Sequence, residues 1–381
     1  MKIVQIGLAS YYTDGMAYQD NQLAEQNVRD GHTVTYISNA QKYSDGKIVD
    51  VGYEDVVLPS GVRLIRLPYE RVLNAVVTEK VRKVSGLYDV LCELKPDVIM
   101  CHGLCSVSTL DVIKYKKNNK NVKLYADTHA NSKNSGQNWV SLYVLHKGLY
   151  RFVNQKSLPY IDKYFYITSD CKQFAIKNYG IPENLMEFYP LGGNLPQKEN
   201  YNSERKRIRD ELCLKKDELL FVHTGKLDAA KRTKELLSAF SEVRELKAKL
   251  IIIGSIPDNM KDTLFELIDA DARVEYLGWK SAEELTDYLC ASDLYLQPGS
   301  ESATMQNAVC ANCPILCYPH ESYLNGYDYG NILWAKTQDE IAECFEKIAC
   351  GKIDLGDISQ CSSKCARELL DYKRLAERLY T

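Results

Sequence analysis

Short apolar runs alternate with stretches whose apolar residues recur at helical spacing, and this alternation runs through most of the chain. Residues 2–8 read as a first strand, followed by a polar loop over Ala9–Gly15. A helix is expected from about Met16 to Asp30, with Ala17, Ala24 and Val28 on one face and Gly31 as its C′ residue. His32–Ser38 reads as the second strand, residues 43–68 as a β-rich excursion and 71–94 as a helix. Strands at 96–100, 123–127 and 163–168 then alternate with helices at 106–118, 138–156 and 169–179. Over 180–205 the pattern breaks, with Pro182, Pro190, Gly192, Gly193 and Pro196 close together, which reads as a linker. It restarts with a helix at 203–213 and strands at 219–224, 249–254, 273–277, 293–297 and 314–318 separated by helices, then a strand at 331–335 and a helix at 337–350. A last helix, about 358–380, has no strand after it. Alternating strands and helices imply right-handed βαβ units and parallel sheets. The expected architecture is two such domains, 1–185 and 200–358, facing each other across a cleft, with 359–381 packing back on the first.

At 381 residues two domains are the natural expectation. A net charge of −3 gives no overall basic signal for nucleic acid. No run of 18 apolar residues marks a spanning helix, and the start of the chain reads as a strand rather than a signal peptide. The 13 cysteines are scattered through strands and helices, which points to reduced thiols and a cytoplasmic setting. Cys310, Cys313, Cys317 and His320 have spacings open to zinc, but they straddle a helix and a strand, so small buried thiols are the better reading.

Two stretches are suited to an anion. Asp293–Gln297 reads as a buried strand ended by Pro298 and Gly299, and Ser300, Glu301 and Ser302 can cap a helix beginning near Ala303. A strand feeding a Ser-rich turn and a helix N-terminus offers N–H groups and a positive dipole end to a phosphate. An ordinary capped helix is the plain alternative. After the strand at 219–224, Gly225 and Lys226 lead to Lys231 at the start of the next helix. Two lysines there suit a diphosphate as point charges, solvated lysines being the alternative. Neither a Walker pattern nor G-x-G-x-x-G is present. In the first half, Gly15 before Met16 allows close approach of a ligand to the backbone, and His129 follows a strand end where it can touch a substrate. His102 and His223 end other strands and rank lower.

In order and spacing these stretches resemble glycosyltransferase family 4, of the retaining GT-B type, over nearly the whole chain. The resemblance rests on the Gly-bearing first loop, His32-Thr33-Val34, Asp127–Asn131 and Tyr189–Asn194. It rests equally on Gly225-Lys226 with Lys231, Ile253-Gly254, Leu277-Gly278-Trp279 and the stretch Asp293–Pro314. It implies transfer of a sugar from a nucleotide-diphospho donor, UDP- or GDP-linked, with no cofactor and no metal. It puts Lys226 and Lys231 on the donor diphosphate, with the amides of Ser302, Ala303 and Thr304 nearby and Gly15-Met16 on the diphosphate side. It puts Trp279 near the base, Asn307 near the ribose, and His129 at the donor sugar. Gly225, Gly254, Ser300 and Glu301 complete the expected donor site. Where the family has two glutamates eight positions apart, this chain has Asn307 at the second and Glu301 or Ser302 at the first. A Pro-Gly-Ser-x-Ser turn of this kind resembles bacterial surface-polysaccharide enzymes, of the capsule and lipopolysaccharide kind.

The expected activity is therefore transfer to a glycan or lipid-linked saccharide acceptor. The alternatives are a GT-B-like nucleotide-sugar epimerase or hydrolase, or a non-catalytic nucleotide-sugar-binding protein, which the missing glutamate pair makes credible. Tyr143, His146, Lys147, Tyr150, Arg151 and Lys156, with Lys114, Lys116, Lys117, Lys120 and Lys123, suggest a basic, aromatic face. Peripheral contact with an anionic membrane, at its cytoplasmic side, is the expectation that face raises.

Overall fold

The computed structural model describes residues 1–16, 18–44, 47–302, 304–320 and 326–380. The chain divides into two units, Met1–Pro190 with Tyr372–Thr381, and Leu191–Asp371. Each is built on a parallel sheet, as the alternation of strands and helices requires.

In the first unit the strands are β1 (Lys2–Gly7), β2 (Thr33–Asn39), β3 (Gln41–Ser44), β4 (Lys47–Asp50), β5 (Glu54–Val57), β6 (Arg63–Leu67), β7 (Val98–His102), β8 (Lys123–Thr128), β9 (Lys163–Tyr166) and β10 (Met186–Phe188). The described main sheet has the order β10-β9-β8-β7-β1-β2-β6-β5, and β5 alone runs antiparallel to its neighbour. β3 and β4 pair antiparallel in a separate two-stranded sheet, so the β-rich excursion is real. Central strands such as β7 are buried almost throughout, which is why they read as continuous apolar runs.

Three expected helices differ in form. The stretch 71–94 is two helices, Ala75–Val81 and Leu87–Leu94. Arg82 sits at φ 50° and Val84 bridges back to Tyr69, so a tertiary pairing interrupts the periodic pattern. The stretch 138–156 is a π-helix over Val140–Tyr150 that passes into an α-helix over Arg151–Ser157. The last helix is broken too: Leu355–Cys365 continues as a π-turn to Leu370, Asp371 turns away at ψ 119°, and Tyr372–Glu377 starts afresh. Only this last piece joins the first unit, where Tyr372, Leu375 and Leu379 pack with Ile3, Met100, Phe165 and Tyr189. Tyr189 Oη donates to the Leu375 carbonyl at 2.7 Å.

In the second unit the strands are β11 (Leu219–Lys226), β12 (Ala248–Ser255), β13 (Val274–Tyr276), β14 (Leu294–Gln297), β15 (Ile315–Cys317) and β16 (Ile332–Trp334). Their order is β13-β12-β11-β14-β15-β16, all parallel among the described residues. Phe221, Phe240 and Phe345 form the aromatic centre of its core. Cys310, Cys313 and Cys317 are buried with their thiols pushed above the ordinary range by burial. Among the described residues no group of three or more His, Cys, Asp or Glu side chains is disposed to hold a metal ion. No helix among them is long and apolar enough to cross a membrane.

Candidate functional site

At the carboxyl edge of the second sheet, β11 and β12 end in register with Gly225 opposite Gly254. Both lie at positive φ, 131° and 141°. A Cβ on Gly254 would fall 1.8 Å from the Gly225 carbonyl oxygen, so only glycine permits this closeness. A Cβ on Gly225 would lie 3.0 Å from Cε of Lys231, so the stem of Lys231 runs over bare backbone.

Beyond β11 the chain makes a 3₁₀ turn, Ala229–Lys231, with Asp228 Oδ1 accepting from the Ala230 N–H at 3.1 Å. Arg232 then takes φ 56° before the helix Thr233–Glu242 begins, so Lys231 sits in a turn rather than at a helix start. Lys231 is only 8 % exposed. Its ammonium donates to the carbonyls of Ser300 and Glu301 at 3.1 and 3.2 Å, and among the described residues it makes no ion pair. Burial lowers its pKa, and Asp228 and Glu301 oppose that only in part. A desolvated cation held by two carbonyls, with its carboxylates too weakly coupled to offset burial, is poised to gain from an added anion.

The 298–302 turn is locked to this cation. Ser300 N–H donates to the Ala230 carbonyl at 2.7 Å, and a Cβ on Gly299 would lie 2.2 Å from that same oxygen. Ser302 Oγ accepts from the Thr304 N–H at 3.3 Å, ahead of the helix Thr304–Cys310. The N–H groups of Ser300 and Thr304 thus have internal acceptors here, whereas the sequence suggested amides of this turn offered to a phosphate. Ala303, also expected in the site, lies outside the described residues.

Three other expected donor residues of this unit, Lys226, Trp279 and Asn307, are exposed. Lys226 is exposed at the end of β11 rather than in the loop beyond it. Trp279 is 75 % exposed and follows Gly278, whose carbonyl accepts from the Gly254 N–H at 2.8 Å. Asn307 is exposed, and its Oδ1 would lie 3.2 Å from a Cβ on Gly193. Two neighbours were not expected in this site from sequence, where His320 was weighed only with the cysteines. His320 Nε2 meets the Gly299 carbonyl at 2.8 Å, and Arg232 donates to the carbonyls of Pro298 and Lys336 at 3.2 and 2.6 Å. His223 is a floor beneath them. It is wholly buried between the Leu296 carbonyl and Thr233 Oγ1, with its pKa pushed down to about 4 by burial.

In the first unit the edge row is Gly7, His102 and Asp127, paired across β1, β7 and β8. Residues in register share a face, as do residues two apart on one strand, so Gln5 lies on the same side as His102 and Asp127. Asp127 is 1 % exposed; its Oδ2 meets His102 Nδ1 at 2.7 Å and its Oδ1 accepts from the Gly103 N–H at 2.8 Å. His129 Nε2 stands 3.6 Å from the same Oδ2, with 43 % of its side chain exposed. Burial would raise the pKa of Asp127, but the two imidazoles outweigh it and hold it well below the carboxylate range. Burial opposes protonation of both rings, and Asp127 overcomes it at each. Gly15 turns at φ 73° with open space where a Cβ would stand, and Met16 is exposed beside it.

Residues 204–349 match the family model described as "Glycosyl transferases group 1". No curated protein matches the chain significantly. Among solved structures, it resembles HepE of Anabaena in complex with UDP (TM-score 0.66, 13 % identity, 99 % of this chain and 98 % of that one). It resembles sucrose-phosphate synthase from Thermosynechococcus elongatus (TM-score 0.63, 16 % identity, 99 % and 96 %). It also resembles WaaG, a glycosyltransferase involved in lipopolysaccharide biosynthesis (TM-score 0.59, 15 % identity, 99 % and 99 %). The fold is accordingly GT-B, with two Rossmann-like domains. The group 1 match supports transferase activity.

Proposed function

We propose that the protein is a retaining glycosyltransferase of family 4, of the surface-polysaccharide kind. It would move a sugar from a nucleotide-diphospho donor to a glycan or lipid-linked saccharide. The observation that carries this reading is Lys231, a buried ammonium held by two carbonyls and making no ion pair among the described residues, at the glycine-lined edge of β11 and β12. A diphosphate supplies that counter-charge, and it accumulates charge as it leaves, which a preplaced cation stabilises. Support comes from the group 1 match across this unit and from HepE, whose structures include complexes with UDP and UDP-glucose. Lys226, exposed at the same strand end, adds a second cation, and Trp279 offers a face to the base.

In the proposed step the bond from the anomeric carbon to the diphosphate oxygen breaks, and its electron pair leaves with the nucleotide. The acceptor oxygen bonds the anomeric carbon on the same face and gives its proton to the departing phosphate. His129 is assigned to the transferred sugar. The lysines carry the charge neutralisation, so the step as proposed draws on no metal. The test is incubation with UDP-, GDP- and ADP-sugars and a glycan acceptor, with the anomeric configuration of the product read by NMR. An acceptor-linked product of retained configuration is expected. Donor consumed without such a product would mean an epimerase or hydrolase, and binding without turnover a non-catalytic protein.

We place this activity in the cytoplasm, against the inner face of an anionic membrane. The face that supports this differs from the expected one. His146 and Tyr150 are buried, one against Tyr179 Oη at 2.8 Å and the other donating to the Lys80 carbonyl at 2.6 Å. Tyr143, Arg151 and Lys156 are exposed as expected, joined by Trp139, Val144 and Phe152, with Lys147 and Lys156 over the Tyr143 and Phe152 rings at 4.6 and 5.8 Å. Aromatic rings beside lysines suit a lipid interface. Flotation with liposomes should show more binding to anionic than to neutral vesicles, weakening with salt. Equal flotation would contradict the placement.

A further inference from the structure

The first unit holds a chain of polar groups on one face of its sheet. Gln5 Nε2 donates to Asn27 Oδ1 at 2.8 Å, which turns Gln5 Oε1 toward His102 Nε2 at 3.0 Å. His102 Nδ1 faces Asp127 Oδ2 at 2.7 Å. With the Gln5 and Asn27 amides oriented this way, a carboxylate and an amide oxygen both face the ring and both require donors, so both ring nitrogens of His102 carry hydrogen. A neutral imidazole has only one N–H and would leave two acceptors in contact in a buried place. The ring is also stacked on Tyr36 at 6.1 Å, whose Oη donates to Asp20 Oδ2 at 2.6 Å.

We infer that His102 is a positioning residue, held as an imidazolium between Gln5 and Asp127, and that through the shared carboxylate it sets the orientation and proton affinity of His129. Asp127 anchors both rings through one oxygen, while Gly103 fixes the other. Two opposing fields act on His129: the carboxylate favours its protonation and the His102 charge disfavours it. Asp20 adds to the first, while Tyr36, Tyr189 and, from the other face of the sheet, Cys101 also feel the Asp127 charge. With His102 already cationic, the Asp127 charge is largely spoken for, and His129 keeps a proton it can release. What this does for sugar transfer rests on the role proposed for His129, whereas the proton inventory does not.

The experiment is ¹⁵N NMR of the full chain labelled in its histidine rings, titrated through neutral pH. His102 is expected to show two protonated ring nitrogens at neutral pH. In His102→Gln, which keeps a donor for Asp127 but no charge, the His129 midpoint should move up. In Asp127→Asn it should move down. A neutral His102 tautomer in the wild type, with the Gln5 amide reversed, would overturn the inference without any variant. So would an unmoved His129 midpoint in a His102→Gln protein that melts like the wild type. If the midpoint moves while the pH profile of kcat stays still, the relay stands and the catalytic role of His129 falls.

Discussion

Lys231→Ala is expected to lower turnover by about 10²–10³-fold, the loss typical of removing one preorganised group that stabilises developing charge. The apo protein should not suffer in proportion. Because burial lowers the pKa of Lys231, the folded protein holds that proton less tightly than the unfolded chain does. The charged form therefore costs the folded state stability, and that cost shrinks as pH rises toward the unfolded-state value for lysine. Removing the ammonium should leave the melting temperature near the wild-type value or raise it, while abolishing the gain that a nucleoside diphosphate produces. A calorimetric scan with and without nucleotide checks both halves. Loss of turnover together with a collapsed melting temperature would make Lys231 a structural residue instead. Lys226→Ala, at an exposed position, should cost turnover without touching apo stability.

Gly254→Ala is expected to be the most damaging single methyl in the second unit. Its Cβ would fall 1.8 Å from the Gly225 carbonyl oxygen, at φ 141°, so the ends of β11 and β12 must part. Backbone rather than a flexible side chain has to move, and the cost should be on the order of 2–4 kcal/mol. Gly225 carries the stem of Lys231, so donor binding should be lost with it. Gly278→Ala is the control: φ is 69°, but nothing stands within 4 Å of a Cβ. It should cost only about 1 kcal/mol, from backbone strain alone. Urea unfolding of both variants separates the two cases, and equal costs would mean that close approach is not what Gly254 provides.

The two βα units could be read from the sequence because their central strands are buried on both faces and announce themselves as unbroken apolar runs. What escaped was decided by contacts far apart in sequence. The helix expected over 71–94 stops at Arg82, at φ 50°, where Val84 pairs with Tyr69, and Gly86 at φ 76° opens the next one. The last helix shows no Pro or Gly at Asp371, where the chain passes from one unit to the other. Lys226 and Lys231 look alike in sequence, yet one is exposed and the other is buried against carbonyls 69 and 70 positions away. His102 and Gln5 could have been found by strand parity, since Gln5 and Gly7 are two apart and Gly7, His102 and Asp127 share a register row. Without the register, His102 was one histidine among several at strand ends.

Isothermal titration of the full chain with UDP, GDP and ADP, each against its own nucleoside, addresses the anion site head-on. One diphosphate should bind about 10- to 100-fold more tightly than its nucleoside, the worth of charge-assisted hydrogen bonds, and Lys231→Ala should erase that margin. A nucleoside that binds as well as its diphosphate, or a margin that survives in Lys231→Ala, would contradict the account.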